Sequence, residues 1–392
     1  MPFEFDTNLI SIIVFYSVIA VLLYVKRKKI IVQNKILFLY KTERFNNFMR
    51  NLANKWPKFW RAFGYIGIPL GFGGMAVIFG YLTYALLKML TTPSPQATIS
   101  IVLPGVRIPG ASIFIPFWYG IIALFVVILV HEGSHGIVAE AFKNKIKSAG
   151  VGLLAILPLA FVEPDEKKLK RQSASTQLAI FSAGTMANFV TAAIVVVITS
   201  LLLAPAVNAL IEPAGLSLRS VADNQPAALA GLQPGMIISS VNSQNISKVD
   251  DFIAYMRTIE PGQTIDIVAN GTTYHITTTH NPQNASLAYL GITFEQELQV
   301  KPQIVAKYGA VLPWIPWHIL QLLFWIFALN LGIGLINLLP LGPIDGGRMA
   351  KTVLEKRLKS EEKAKKLFSI LSAISLVLLL ANLLGPYIIK AL

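Results

Sequence analysis

Residues 131–135, His131-Glu132-Gly133-Ser134-His135, set two imidazoles four positions apart with a carboxylate next to the first. On a helix, positions i and i+4 share one face, so both rings can hold one metal ion. Glu132 then sits beside the ion rather than under it, where it can take a proton from water held there. This chemistry is metal-assisted hydrolysis. The motif closes the apolar run "IIALFVVILV" (121–130), and three ionisable groups in such a setting are costly and point to function inside a membrane. A satisfied polar cluster that only stabilises a bundle is the bland alternative.

A hydrolytic zinc site needs a third protein ligand and an open fourth position. The chain has no cysteine, so no thiolate can serve. His275, His280 and His318 fall in or next to a polar region remote from the motif. Asp345 remains, in "NLLPLGPIDGGR" (337–348). A straight helix from Leu312 would carry it about 50 Å, past a bilayer. Pro340, Gly342 and Pro343 break such a helix, and the chain can turn back to present Asp345 to the ion. Gly346 and Gly347 would let the backbone pass close. A further candidate is Asn188 in "FSAGTMANF", either a donor to a developing oxyanion or substrate backbone, or an ordinary interhelical hydrogen-bonding group.

The elements that must position these groups are membrane spans. The chain has 392 residues, 54% hydrophobic and 14% charged, against roughly a quarter charged in an average globular chain. Six charge-poor segments reach spanning length: Leu9–Val25, Tyr65–Leu90, Ile113–Phe142, Leu178–Val207, Leu312–Leu339 and Leu367–Ile389. Acidic Glu4 and Asp6 precede the first and Lys26-Arg27-Lys28-Lys29 follows it, so it reads as a retained span with its N-terminus outside. Alternation then places residues 26–64, 143–177 and 340–366 inside, with 11, 7 and 8 of the 34 Lys and Arg residues. The net charge of +14 thus follows the positive-inside rule, and nucleic acid drops out as a partner. Segment 41–63, mixing basic and aromatic residues, is expected on the inner membrane surface. Taking Phe142 as the inner end, His131 lies eleven residues deep, about 16 Å, and Asn188 lies equally far from Gln177.

Two stretches are neither span nor plain loop. "SAGVGLLAILPLAFVEP" (148–164) is flanked by basic blocks and is too short to cross, so a re-entrant hairpin is expected, with an interfacial loop as the alternative. Leu154 and Ile156 are the residues assigned to a strand edge for substrate there. From about Ile211 to Glu297 the composition is that of a soluble α+β domain. "NQPAALAGLQPGMIISSVNSQNISKVDDFIAYM" resembles a PDZ domain, and "PAGLSLRSV" (213–221) resembles its carboxylate-binding loop and strand, assigning Gly215 and Leu216 to peptide binding. A shield over the outer face is the alternative role.

H-E-x-x-H in one span, A-G-x-x-x-N-F in the next, N-x-x-P-x-x-P-x-D-G-G later and a PDZ-like insert between them resemble the site-2 protease family of intramembrane zinc metalloproteases. Thr185 departs from the proline that the family often carries after the glycine. The resemblance implies one Zn2+ ion on His131, His135 and Asp345, Glu132 as general base, and Asn188 and Asn337 as positioning groups. It implies transmembrane-protein substrates, cut in regulated intramembrane proteolysis, and a peptide or C-terminus at the PDZ-like domain. The expected fold is an α-helical polytopic membrane protein with about six spans, a re-entrant hairpin and an extracytoplasmic α+β insert. Its parts are residues 1–64, 65–207, 208–300 and 301–392. The expected location is a prokaryotic plasma membrane, with the N-terminus, insert and C-terminus outside and the site nearer the cytoplasm. A catalytically silent scaffold binding peptides through the insert, or a metal transporter, are rival classes. The scaffold would lack a ligand or base, and the transporter would carry further ligand residues across the spans.

Overall fold

The computed structural model describes residues 7–91, 99, 103–107, 113–155, 157–282, 284–358 and 360–391. The chain starts with α1 (Thr7–Val25), β1 (Ile30–Gln33), β2 (Leu37–Lys41), α2 (Glu43–Lys55), α3 (Pro57–Thr91) and α4 (Phe117–Ala141). Then come β3 (Ile146–Leu154), β4 (Leu157–Pro164), α5 (Glu166–Arg171), α6 (Ala174–Ile198), α7 (Ala204–Leu210), β5 (Ile211–Val221) and α8 (Pro226–Leu229). They are followed by β6 (Ile237–Val241), β7 (Gln244–Asn245), α9 (Val249–Met256), β8 (Thr264–Ala269), β9 (Thr272–Thr277), β10 (Thr279–Asn281), β11 (Asn284–Tyr289) and β12 (Ile292–Val300). The last elements are α10 (Pro302–Tyr308), α11 (Ile315–Asn337), α12 (Asp345–Arg357) and α13 (Glu361–Ala391).

Among the described residues, six helices are long and apolar enough to cross a membrane: Thr7–Val25, Pro57–Thr91, Phe117–Ala141, Ala174–Leu210, Leu312–Asn337 and Glu361–Ile389. They coincide with the six apolar segments of the sequence. Span two starts earlier, because Pro57 and the aromatic residues after it form the first turns of α3 rather than a separate surface segment. Pro at the first helical position has no N–H to leave unpaired and its φ is already helical. The amphipathic part of 41–63 is α2, which buries Met49 and Ala53. The fourth span is interrupted by a π-turn at Thr199–Leu203, ahead of Pro205. A proline there lacks the N–H that an α-helix would use, and the wider turn absorbs the defect.

By internal contacts the chain divides into two compact units, residues 1–199 with 321–392, and residues 200–320. In the first, α3, α4 and α6 pack through small residues, which let helix backbones approach closely where lipid provides no hydrophobic drive. A Cβ on Gly64 of α3 would lie 2.9 Å from Val138 of α4 and 3.0 Å from the Ala179 carbonyl of α6, and one on Gly67 would meet Ser182 Oγ. The end of α4 from His131 to Ala141 is buried almost all round, whereas its first half buries one stripe, Phe117, Gly120, Ala123 and Val127. Below the motif, Glu140 accepts the Ile146 N–H at 3.0 Å and lies 3.7 Å from Arg50, joining α4 to β3 and α2.

Residues 146–164 form an antiparallel hairpin, β3–β4, which is half of a four-stranded sheet in the order β1-β2-β3-β4. The pairing of Leu37–Lys41 with Gly150–Leu154 is not among the features expected of 26–64, a basic inner segment with an interfacial part at 41–63. Its local signal is "IIVQNKILFLY", two β-prone runs around a turn in which Asn34 and Lys35 take positive φ, as asparagine readily does. β3 has a neighbour on each side, so Leu154 has no free strand edge beside it. Among the described residues the sheet's open edges are β1 and β4. Ile156 lies outside the described residues.

The second unit is built on a six-stranded sheet, β12-β5-β6-β8-β9 with β7 beside β6. Leu216, Leu218, Ile238, Ile265, Ile267 and Ile276 are fully buried in its core with Phe252 of α9. Burial of each such side chain contributes roughly 1.5–3 kcal/mol. β5 is paired with β12 along its whole length and with β6 at Leu216 and Ser217. The peptide-binding assignment of Gly215 and Leu216 is therefore corrected. Leu216 is a core residue, Gly215 has its carbonyl taken by Gln296 Nε2 at 2.8 Å, and both strand neighbours of β5 are in place.

Candidate metal centre

His131 and His135 stand one turn apart on α4, and Asp345 opens α12. Asp345 Oδ2 lies 3.1 Å from His131 Nε2 and 3.1 Å from His135 Nε2, and the two Nε2 atoms are 3.3 Å apart. Among the described residues this is the group of His, Asp and Glu side chains able to share an ion. Four ligands around zinc with bonds of about 2.0 Å are separated by roughly 3.3 Å, so three corners of such a tetrahedron are already in place. The His135 Nδ1–H donates to the Ile180 carbonyl at 2.7 Å. A carbonyl can only accept, so the neutral ring keeps its lone pair on Nε2, facing Asp345. The residues present fit a zinc ion.

The break that the prolines impose brings Asp345, the third candidate ligand, to the two imidazoles. α11 ends at Asn337, and Leu338 and Leu339 are fully buried against Ile78 and Leu82 of α3. The loop then folds over the start of α12, with the Gly342 N–H donating to Ser372 Oγ at 3.0 Å. A Cβ on Gly346 would run into the Leu338 carbonyl and one on Gly347 into the carbonyls of Leu341 and Gly342, which is the close passage expected there. Asp345 lies in the first turn of α12, where the helix dipole favours a carboxylate.

Gly184 of α6 faces the two imidazoles. A Cβ there would collide with His135 Nε2 and come within 2.8 Å of His131 Nε2. Gly184→Ala is expected to displace the rings and weaken metal affinity roughly 5- to 150-fold, the equivalent of about 1–3 kcal/mol of overpacking. Chelator competition on the purified protein measures this; unchanged affinity would mean that the rings can move away freely.

His131, Glu132, His135 and Asp345 share a cavity of about 380 Å³ with Asn337 and Arg348. Leu159, Ala160 and Val162 bring the open strand β4 to the cavity wall, while Leu154 is not part of it. Asn188 does not line the cavity either; its amide nitrogen is placed 3.1 Å from His131 Nδ1. Arg348, one turn after Asp345, also lines the cavity, and no motif in the sequence marks it. It lies over the Phe181 ring at 5.5 Å and 3.8 Å from Glu166. Next to it, Asp165 caps α5 by accepting the N–H groups of Lys167 and Lys168. The Lys168 N–H first, with Lys147 adding to it, holds the Asp165 carboxyl below the usual carboxylate range. A larger cleft of about 780 Å³, almost wholly apolar, runs between α1, α4 and the sheet and shares Ile128, Leu159 and Ala160 with the cavity at the two imidazoles. α1 buries none of its side chains.

His275 pairs with Asp266 at 2.6 Å and the His280 Nδ1–H donates to the Ala285 carbonyl at 2.7 Å, both in the 200–320 unit. Neither belongs to the group of side chains able to share an ion.

Apolar spanning helices that carry H-E-x-x-H and draw in a distant aspartate define a membrane metallopeptidase. The chain belongs to Peptidase family M50, whose sequence model matches residues 119–381. It is 32% identical over 303 residues to "Uncharacterized protein MJ0971" of Methanocaldococcus jannaschii, covering 74% of this chain and 70% of that protein. The crystal structure of the PDZ domain of the SdrC-like protein from Listeria monocytogenes is 25% identical over 20% of this chain and 86% of its own, with a TM-score of 0.19.

Proposed function

We propose that the protein is an intramembrane zinc endopeptidase of the site-2 type, hydrolysing a peptide bond within or beside the transmembrane helix of membrane-protein substrates. The observation that carries this reading is the convergence of His131, His135 and Asp345 with Glu132 in one cavity, in a bundle of helices apolar enough to span a bilayer. Zinc, when bound there, supplies a Lewis acid that polarises a carbonyl and acidifies water. Glu132 accepts the water proton on its carboxylate and passes it to the departing amine nitrogen. Asn337, whose side chain borders the cavity, holds the substrate backbone. Lys and Arg concentrate on the side read as cytoplasmic, which supports a site nearer that surface.

A transmembrane helix hides its peptide bonds in its own hydrogen bonds, so it must unwind before it can be cut. β4 supports a place for the unwound segment, since among the described residues its one strand partner is β3. Strand N–H and C=O groups alternate in direction: the Ala149 carbonyl is turned to Thr42 on the β2 side, so its partner Val162, and with it Ala160 opposite Val151, turns its N–H away from β3. A segment added there lies along the catalytic cavity, reached from the bilayer through the apolar cleft beside α1. Ala160→Pro removes that outward donor without breaking a β3–β4 bond. It is expected to lower kcat/KM on a single-span substrate about tenfold with metal content unchanged; an unchanged rate would refute strand addition at β4.

In the 200–320 unit, β12 has β5 as its one strand neighbour among the described residues. The outer side of β12 is thus the place for an extended peptide or substrate C-terminus, replacing the assignment to Gly215 and Leu216.

A further inference from the structure

Asn188 is fully buried, has no wall in the catalytic cavity, and its amide lies 3.1 Å from His131 Nδ1. The two ends of a side-chain amide have nearly the same shape, so the chemistry of the partner decides which end faces it. An NH2 donating to Nδ1 would leave the neutral ring's proton on Nε2, which could then ligate nothing. With the amide oxygen facing the ring, the Nδ1–H donates to it and the Nε2 lone pair points at the centre formed with Asp345 and His135, 3.1 and 3.3 Å away. In either orientation one end of the amide is left without a partner, as Oδ1 is in the present placement. The count of buried orphans is therefore equal, and the ligand role of Nε2 decides.

We infer that Asn188 is a positioning residue for the metal centre, its side-chain oxygen accepting the His131 Nδ1–H, and not a donor to the reacting carbonyl. The inference rests on the metallopeptidase reading. It explains how one helix serves both ligand rings. Ile180, Gly184 and Asn188 follow one another at intervals of four on α6. The Ile180 carbonyl takes the His135 Nδ1–H, Gly184 leaves room for the rings, and Asn188 takes the His131 Nδ1–H. A carboxylate, carbonyl or amide oxygen behind a ligating histidine fixes its tautomer and ring direction, and its loss typically weakens metal binding about 10- to 100-fold.

The test uses the purified full chain, measuring zinc affinity by chelator competition and the visible absorption spectrum of the cobalt(II)-loaded protein. Asn188→Asp keeps an acceptor and removes both donors; Asn188→Ala removes both functions. The aspartate variant is expected to keep affinity within about threefold and the cobalt spectrum unchanged, while the alanine variant binds about 10- to 100-fold more weakly with an altered spectrum. If both variants keep wild-type affinity and spectrum and lose only kcat, Asn188 is a donor to the reacting carbonyl and the inference is overturned. Loss of metal in Asn188→Asp overturns it as well, and that variant decides alone should Asn188→Ala fail to fold. A wild-type chain that binds no metal removes the metallopeptidase reading itself, and the inference with it.

Discussion

Glu132→Gln is expected to slow peptide-bond hydrolysis about 10²- to 10⁴-fold while leaving one zinc bound per chain. Glutamine has nearly the same shape and differs only in its terminal atoms, so the cavity wall that it shares with Val162 should stand. What it cannot do is take up a proton from water, and among the described residues no other carboxylate borders the cavity except Asp345, which faces both imidazoles. Initial rates on a single-span substrate, with metal analysis of the same preparation, measure both quantities. Loss of metal together with activity would make Glu132 part of the metal site rather than its neighbour. An undiminished rate would require a different base.

Asp345→Ala acts on the other half of the mechanism. Asp345 Oδ2 sits at equal distances from the two imidazoles, and without it the centre keeps two ligands on a single turn of α4. Removing a direct ligand should cost more than the 10- to 100-fold lost with an outer partner, so affinity is expected to fall by more than about 100-fold. Cleavage falls with it at any sub-saturating zinc concentration. The substitution leaves Gly346 and Gly347 and the loop over α12 unchanged, so the helical circular dichroism should stay that of the wild type. Retained affinity would exclude Asp345 as the third ligand.

The centre was legible because its chemistry is local or forced. H-E-x-x-H announces itself by spacing, and Asp345 follows from the helix break at Pro340 and Pro343 once cysteine and the remote histidines are eliminated. The six spans were legible because a bilayer demands long uncharged runs. Strand neighbours were not. Pairing of β2 with β3 joins residues more than a hundred positions apart, and nothing in either segment names its partner. For the same reason the sequence does not show that Leu154 lies inside a sheet while Ala160 and Val162 lie on its rim strand, or that β5, which carries Gly215 and Leu216, is flanked on both sides. Asn188 shows a subtler limit. Its depth opposite His131 could be counted along the helices, but whether it faced the cavity or the back of the imidazole depends on the rotation of α6, which Gly184 sets by its contact with both rings.

The central claim is that hydrolysis occurs on a helix drawn from the membrane itself. Mass-spectrometric location of the cut in a single-span substrate, using zinc-loaded wild type in lipid vesicles with Glu132→Gln as control, tests it most directly. The expected cut lies inside the apolar segment or at its edge, is abolished by chelation and is absent with the variant. Cleavage confined to the polar flanks, or persisting in Glu132→Gln, would contradict it.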